Sequence, residues 1–355
     1  MMSTFIIIGG GPAAAIEAAR LSAMGKDVTM ISEQYGGCMD IMGNRRLQSY
    51  CNELVLKDSD KKLEDYMKEP ALTPTGLEYG TYVRDVIESL PVRKICGRVS
   101  YFTRDLSGFR CQVMVGDDLK YYYSDNLVLA TGISSKTTPA VFSLIDPIDC
   151  FNAYKMFMEN PSSITTKYRN IVILGGGNTA FQLADASASL GFKTTILARS
   201  YIGLFPQETQ DRFALRAPSQ ITIERIWKSQ TDKNITPLGF HVYSSLCADN
   251  NSLTANLLKE NNTDHIALLS YENVNCPTIK DGIKSVTFEK SDTLFISAIG
   301  TTGVIPENSF IQININSKGY VDNTDGKTDI KGLYVAGMIA GAKSINTMKL
   351  TEYEL

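Results

Sequence analysis

Two apolar runs of one shape punctuate the chain. Phe5-Ile6-Ile7-Ile8 ends in Gly9-Gly10-Gly11, and Ile171-Val172-Ile173-Leu174 ends in Gly175-Gly176-Gly177. Short continuous apolar runs bounded by glycine predict buried strands. Small-residue segments follow, Ala13 to Arg20 in the first copy and Gln182 to Leu190 in the second, and predict helices packed closely on those strands. Asp27 to Glu33 reads as a further strand. Tyr79 to Leu90 reads as a helix, from the spacing of Tyr82, Val83, Val86, Ile87 and Leu90. Val92 to Leu129 switches to short alternating strands, with turns at Asp105-Leu106-Ser107-Gly108 and Gly116-Asp117-Asp118. A second strand-rich stretch, Ile221 to Phe288, leads into Ser291 to Gly300, which echoes Ser124 to Gly132 with one extra residue.

Strand, glycine turn and small-residue helix form the order of a dinucleotide-binding unit. Gly9, Gly11 and Ala14 take the G-x-G-x-x-A positions, with Pro12 between them. Gly9 makes the tight turn, and Gly11 lets a pyrophosphate approach the backbone. Ala14 is small enough for the helix to sit against the strand, and the helix N-terminus offers N–H groups and a positive dipole end. Glu33 ends the next strand, where an acid accepts from a ribose 2′-hydroxyl. Gly175, Gly177 and Ala180 repeat the pattern around Asn178 and Thr179. Counted from the first glycine of each copy, Arg199 stands where Glu33 does. An arginine there attracts a 2′-phosphate, so the first unit suits the adenosine of FAD or NAD and the second leans towards NADP(H), with NADH left open. The other reading of Arg199 is a solvated side chain. The expected fold is α/β: two Rossmann-like dinucleotide-binding domains, each with a small antiparallel β-meander.

Composition narrows the partners. At 355 residues and 43% hydrophobic content, the chain has room for two cored domains. A net charge of -3 gives no electrostatic reason to expect nucleic acid or anionic lipid. No apolar run approaches the roughly 20 residues that span a bilayer, and the N-terminal run lacks a charged flank, so the expectation is a cytoplasmic protein. The seven cysteines form no C-x-x-C pair, which argues against a zinc site or a local redox dithiol. With two histidines, His241 and His265, both in polar surroundings, histidine-based catalysis is not indicated.

Two such folds, closed by Ala130-Thr131-Gly132 and Ala298-Ile299-Gly300, with a final Gly332-Leu333-Tyr334-Val335-Ala336-Gly337, resemble the two-dinucleotide-binding-domain flavoproteins. That superfamily includes thioredoxin reductase-like enzymes and the class B flavin monooxygenases. The resemblance implies that the second fold is inserted into the first. FAD binding would then span 1–135 and 290–355, and NAD(P)H binding 136–289. It implies FAD at Gly9, Gly11, Pro12, Ala14 and Glu33, with Ala130, Thr131 and Gly132 closing the site and Gly337 and Met338 along the ribityl chain. NADP(H) would lie at Gly175, Gly177, Asn178, Thr179, Ala180 and Arg199, closed by Gly300. Met338 stands where the family usually has an aspartate bonded to a ribityl hydroxyl, a loss of about 1 kcal/mol.

Dithiol relays in the family use a C-x-x-C in the nucleotide domain or a cysteine pair soon after the acid. Here only Cys38, beside Gly36-Gly37, lies near. The stretch Gly43 to Tyr50, then Lys57-Asp58, then Pro74 to Val83 is similar to N-hydroxylating class B monooxygenases, which places Gln48 near the flavin. Asp125 with Leu129-Ala130-Thr131-Gly132 is similar to their Asp-x-x-x-Leu-Ala-Thr-Gly motif. The resemblance implies a monooxygenase that uses NAD(P)H and O2 on a small organic substrate, through a C4a-(hydro)peroxyflavin. Two alternatives stand beside it: a reductase passing electrons to a quinone, ferredoxin or small acceptor, and a non-catalytic flavin- or nucleotide-binding protein. Related enzymes often form homodimers, although no segment here marks a dimer seam.

Overall fold

The computed structural model describes residues 3–47, 49–56, 59–69, 73–198, 238–257 and 285–342. The chain divides into two compact units, Met1–Ser134 with Thr301–Leu355, and Ser135–Gly300.

In the first unit, five parallel strands lie in the order Leu333–Val335, Asn126–Leu129, Thr4–Ile8, Asp27–Ser32, Arg93–Cys96. Both faces of the opening strand are covered, which is why it reads as an unbroken apolar run. Ile6 and Ile8 point with Ile31, Leu127, Leu129 and Val335 into a core shared with Phe102, Phe109, Cys111 and Val113 of an antiparallel meander. The meander consists of Arg98–Asp105, Gly108–Val115 and Asp118–Ser124. Arg93–Cys96, expected within the alternating stretch, instead extends the parallel sheet beside Asp27–Ser32. On the other face, the helix Pro12–Ala23 lies against Thr4–Ile8 and Asp27–Ser32, with Ala14 and Ala18 fully buried. The helix Gly76–Ser89 starts at a capping box: the Glu78 N–H donates to Thr75 Oγ1 at 3.2 Å, and the Thr75 N–H donates to Glu78 Oε2 at 2.8 Å.

The second unit carries a seven-stranded sheet: Ser285–Glu289, Ser252–Leu257, Leu238–Ala248, Lys193–Ala198, Asn170–Leu174, Thr293–Ser297, Ile148–Asp149. Lys193–Ala198 and Thr293–Ser297 flank Asn170–Leu174 in parallel, while the strands beyond Leu238–Ala248 turn back antiparallel as its meander. Val172, Leu174, Leu197, Leu253 and Phe295 form the core of one face, with Phe142 edge-on to Phe295 at 6.1 Å between ring centroids. The helix begins at Asn178, earlier than the expected Gln182, because Gly177 already caps it. A boundary at 289 also needs correction. Thr293–Ser297 hydrogen-bonds to Asn170–Leu174, so the second unit runs to Gly300. Each unit is thus a Rossmann-like α/β fold with its own meander.

Candidate functional site

The opening strand leaves its sheet at Gly9, whose φ of +135° is open only to glycine at low cost. The Gly9 N–H donates to Ile31 O at 2.9 Å, and a Cβ there would stand 2.2 Å from Ala130 O. Ala130 is held in turn, donating to Ile8 O at 2.9 Å. Gly11 caps the helix Pro12–Ala23 with no side-chain hydrogen bond and no acid in the first turn, and Pro12, at the first helical position, has no N–H to satisfy. The N–H groups of that first turn are left for a ligand. Ile8, Leu129 and Val335 share one level of the sheet, so the turns after them lie along its carboxyl edge, the usual place for ligands in such sheets.

Around this edge stand the other expected residues. Ala14 is fully buried under the turn, and Glu33 is exposed just past Asp27–Ser32. Thr131 donates its hydroxyl to Val304 O, and Gly132 O accepts from the Val304 N–H at 3.1 Å. Gly337 begins a short turn to Ala340 that lies against the helix Pro12–Ala23, with Met338 half-buried in it. Asp125 accepts from both the Thr4 N–H, at 2.8 Å, and the Thr4 hydroxyl, at 2.9 Å, tying the start of one strand to the approach of its neighbour. Gln48 lies outside the described residues.

One contact was read in the sequence only as a turn. Gly36-Gly37 folds over the glycine turn: the Gly36 N–H donates to Gly10 O at 2.8 Å, and a Cβ on Gly37 would meet Gly11 Cα at 3.2 Å. A glycine doublet soon after the acid was its signal.

The second unit repeats the turn closely. Gly175 has φ +133°, its N–H donates to Leu197 O at 2.8 Å, and a Cβ would stand 2.2 Å from Ala298 O. Gly177 caps Asn178–Ser189 without a side-chain bond; Asn178 and Thr179 form the first turn, and Ala180 is buried. Among the described residues, a Cβ on Gly177 would meet nothing within 4 Å. Gly300 ends the closing strand, its carbonyl accepting from the Lys136 N–H at 3.1 Å. Arg199 lies outside the described residues.

Among the described residues, Cys38, Cys96, Cys111, Cys150 and Cys247 are free thiols, and Cys51 Sγ donates to Met67 Sδ at 3.3 Å. Loss of hydration pushes up the thiols of Cys38, Cys51 and Cys150, and burial takes Cys111 to about 12. No group of metal-ligating side chains occurs among the described residues, and none of their helices is long and apolar enough to cross a membrane. A cleft of about 370 Å³ lined by Thr4, Asp27, Arg93 and Tyr121 to Tyr123 sits at the opposite, amino edge of the first sheet, away from the glycine turn.

Residues 3–236 match the pyridine nucleotide-disulphide oxidoreductase family. The chain belongs to that family. It is therefore an oxidoreductase of a flavin-dependent family whose members bind FAD and NAD(P)H. Solved structures share the fold at low identity. A bacillithiol disulfide reductase from Bacillus cereus has 17% identity and a TM-score of 0.67, covering 98% of this chain and 93% of that one. The FAD-bound cadaverine monooxygenase of desferrioxamine biosynthesis from Erwinia amylovora has 15% identity and a TM-score of 0.67, covering 97% and 90%. An ornithine N-hydroxylase from Kutzneria sp. 744 has 11% identity and a TM-score of 0.69, covering 99% and 96%. No curated protein sequence matches it. The first turn fits FAD in this family: an uncapped helix end, Gly9 and Gly10 with no room for a Cβ, and an exposed acid one strand away.

Proposed function

We propose that the chain is an FAD-dependent monooxygenase that consumes NADPH and O2 and oxygenates a small organic substrate. The observation that carries this reading is the state of the thiols. Among the described residues, Cys38, Cys96, Cys111, Cys150 and Cys247 are free thiols, and loss of hydration holds Cys38, Cys111 and Cys150 towards the protonated form. A dithiol relay needs a thiolate and a second thiol within bonding reach. With no such pair assembled among the described residues, on this reading reducing equivalents leave through a small acceptor that reaches the cofactor directly. The fold is shared with two N-hydroxylating enzymes over nearly the whole chain, which supports O2 as that acceptor.

Gly9, Gly11, Pro12 and Ala14 would hold the FAD pyrophosphate, Glu33 its ribose, and the turn at Gly337 and Met338 its ribityl chain. Gly175, Gly177, Asn178, Thr179, Ala180 and Arg199 would hold NADP(H). Bound FAD supplies hydride acceptance from the nicotinamide and electron delivery to oxygen. The chain's part is to fix that cofactor by backbone donors and keep bulk water from the reacting face.

The test follows NADPH oxidation, O2 uptake, peroxide and amine products together, with cadaverine and ornithine as first substrates. A monooxygenase gives O2 uptake matched by hydroxylated amine, with little peroxide. A second reading, a reductase serving a quinone, ferredoxin or small disulfide, draws on Cys38, exposed and next to the Gly37 that touches Gly11. Fast turnover with such an acceptor, with all O2 uptake recovered as peroxide, would favour it.

A further inference from the structure

We infer that the Asp40–Arg84 ion pair is a positioning device for FAD: it presses the Gly36-Gly37 loop onto the first glycine turn and so sets the shape of the pyrophosphate cradle. This rests on the placement of FAD at that turn, and not on the reaction that follows.

The path can be traced atom by atom. Arg84, on the helix Gly76–Ser89, donates Nη2 to Asp40 Oδ2 at 2.5 Å and Nε to Tyr35 O at 3.2 Å. One guanidinium therefore grips both ends of the segment containing Gly36-Gly37. A bidentate use of this kind needs arginine's planar fork. Gly80 receives the pair: a Cβ there would lie 1.7 Å from Asp40 Oδ1, so the carboxylate rests directly on the helix backbone. That oxygen is buried and has no hydrogen-bond partner, which leaves the Arg84 charge as the compensation for bringing Asp40 inside. Gly36 is also pressed, though less tightly, since its Cβ would meet Gly80 O at 2.8 Å and Arg84 Nη2 at 3.2 Å. From there the loop reaches the turn, with Gly36 N–H on Gly10 O at 2.8 Å and a Gly37 Cβ position 3.4 Å from Pro12 Cδ.

Among the described residues, nothing comes within 4 Å of a Cβ placed on Gly177.

The experiment titrates apoprotein with FAD by flavin fluorescence and records thermal unfolding of the same apo forms. Arg84→Met and Asp40→Asn should each raise the FAD Kd roughly tenfold, the scale of one charge-assisted contact in a partly exposed pair. Arg84→Lys keeps the charge but loses the fork, and should fall between them and wild type. A role in FAD positioning predicts that the stabilisation gained on adding FAD shrinks in step with the Kd. Variants with a lower apo Tm and an unchanged FAD Kd would overturn the inference and leave a structural ion pair. Should Arg84→Met fail to fold, Gly80→Ala takes its place: both charges remain, but the new methyl displaces Asp40. A folded Gly80→Ala protein with wild-type FAD affinity overturns the inference as well. Wild-type protein that takes up no FAD would instead sink the placement of the cofactor.

Discussion

The two glycine turns are the same machine set in two different surroundings. Gly9 and Gly175 share φ near +135°, the same donation across to the next strand, and the same 2.2 Å approach to an alanine carbonyl on the closing strand. They part at the third glycine. Gly11 faces Gly37, while no described residue comes within 4 Å of a Cβ placed on Gly177. They part again at the end of the second strand, where one copy carries Glu33 and the other Arg199. On the proposed reading, the shared geometry would set where a pyrophosphate lies, and the differences which ribose accompanies it.

The largest effects should come from the shared part. Gly9→Ala and Gly175→Ala each force a Cβ into a carbonyl that is itself locked in a sheet, and each leaves alanine at positive φ. Backbone strain alone costs about 1–3 kcal/mol, before the collision. The FAD-binding variant, Gly9→Ala, is expected to purify colourless. The other, Gly175→Ala, should stay yellow and lose reduction by NADPH. Absorbance at purification and anaerobic reduction rates decide the matter: loss of FAD in both variants would mean that the turns do not serve separate ligands.

A smaller, more specific contrast lies at the acid and the base. Glu33 is exposed, so a hydrogen bond from a ribose to it would be screened, and Glu33→Gln should weaken FAD by about 1 kcal/mol, roughly fivefold. For Arg199→Ala, the KM for NADPH should rise about tenfold and that for NADH should not move, because only the former carries the 2′-phosphate that a guanidinium grips. Steady-state kinetics with both nucleotides measures this directly. Equal changes would refute the assignment of NADP(H).

What could be read in advance divides along the same line. The turns were legible because the reason for glycine is local: one residue must reach positive φ against a neighbouring carbonyl, and the strand and helix on either side have their own periodicity. The closing strand Thr293–Ser297 was recognisable as an echo of Asn126–Leu129, yet the expected boundary at 289 put it with the wrong unit. Hydrogen bonding to Asn170–Leu174, rather than position in the chain, decides that membership. Arg84 and Asp40 were invisible for a related reason. They stand 44 residues apart, on a helix and a loop that only the folded first unit brings together. Gly36-Gly37 announced a turn but not what it turns against.

The smallest effect tests whether the first turn relies on backbone where its family uses a side chain. Met338 sits half-buried in the turn that begins at Gly337, at the position where an aspartate usually meets the ribityl chain. If the only consequence of methionine is one missing hydrogen bond, Met338→Asp restores about 1 kcal/mol and slows FAD release roughly fivefold, as seen by dilution into an FAD scavenger. The carboxylate must be brought partly out of water to make that bond, which works against the gain. The sign of the change therefore separates two designs. Slower release means that the turn has room for the aspartate and lacks only its acceptor. Faster release means that the methionine already packs where the aspartate would go, and that the grip of the first fold comes from its glycines and the helix end behind them.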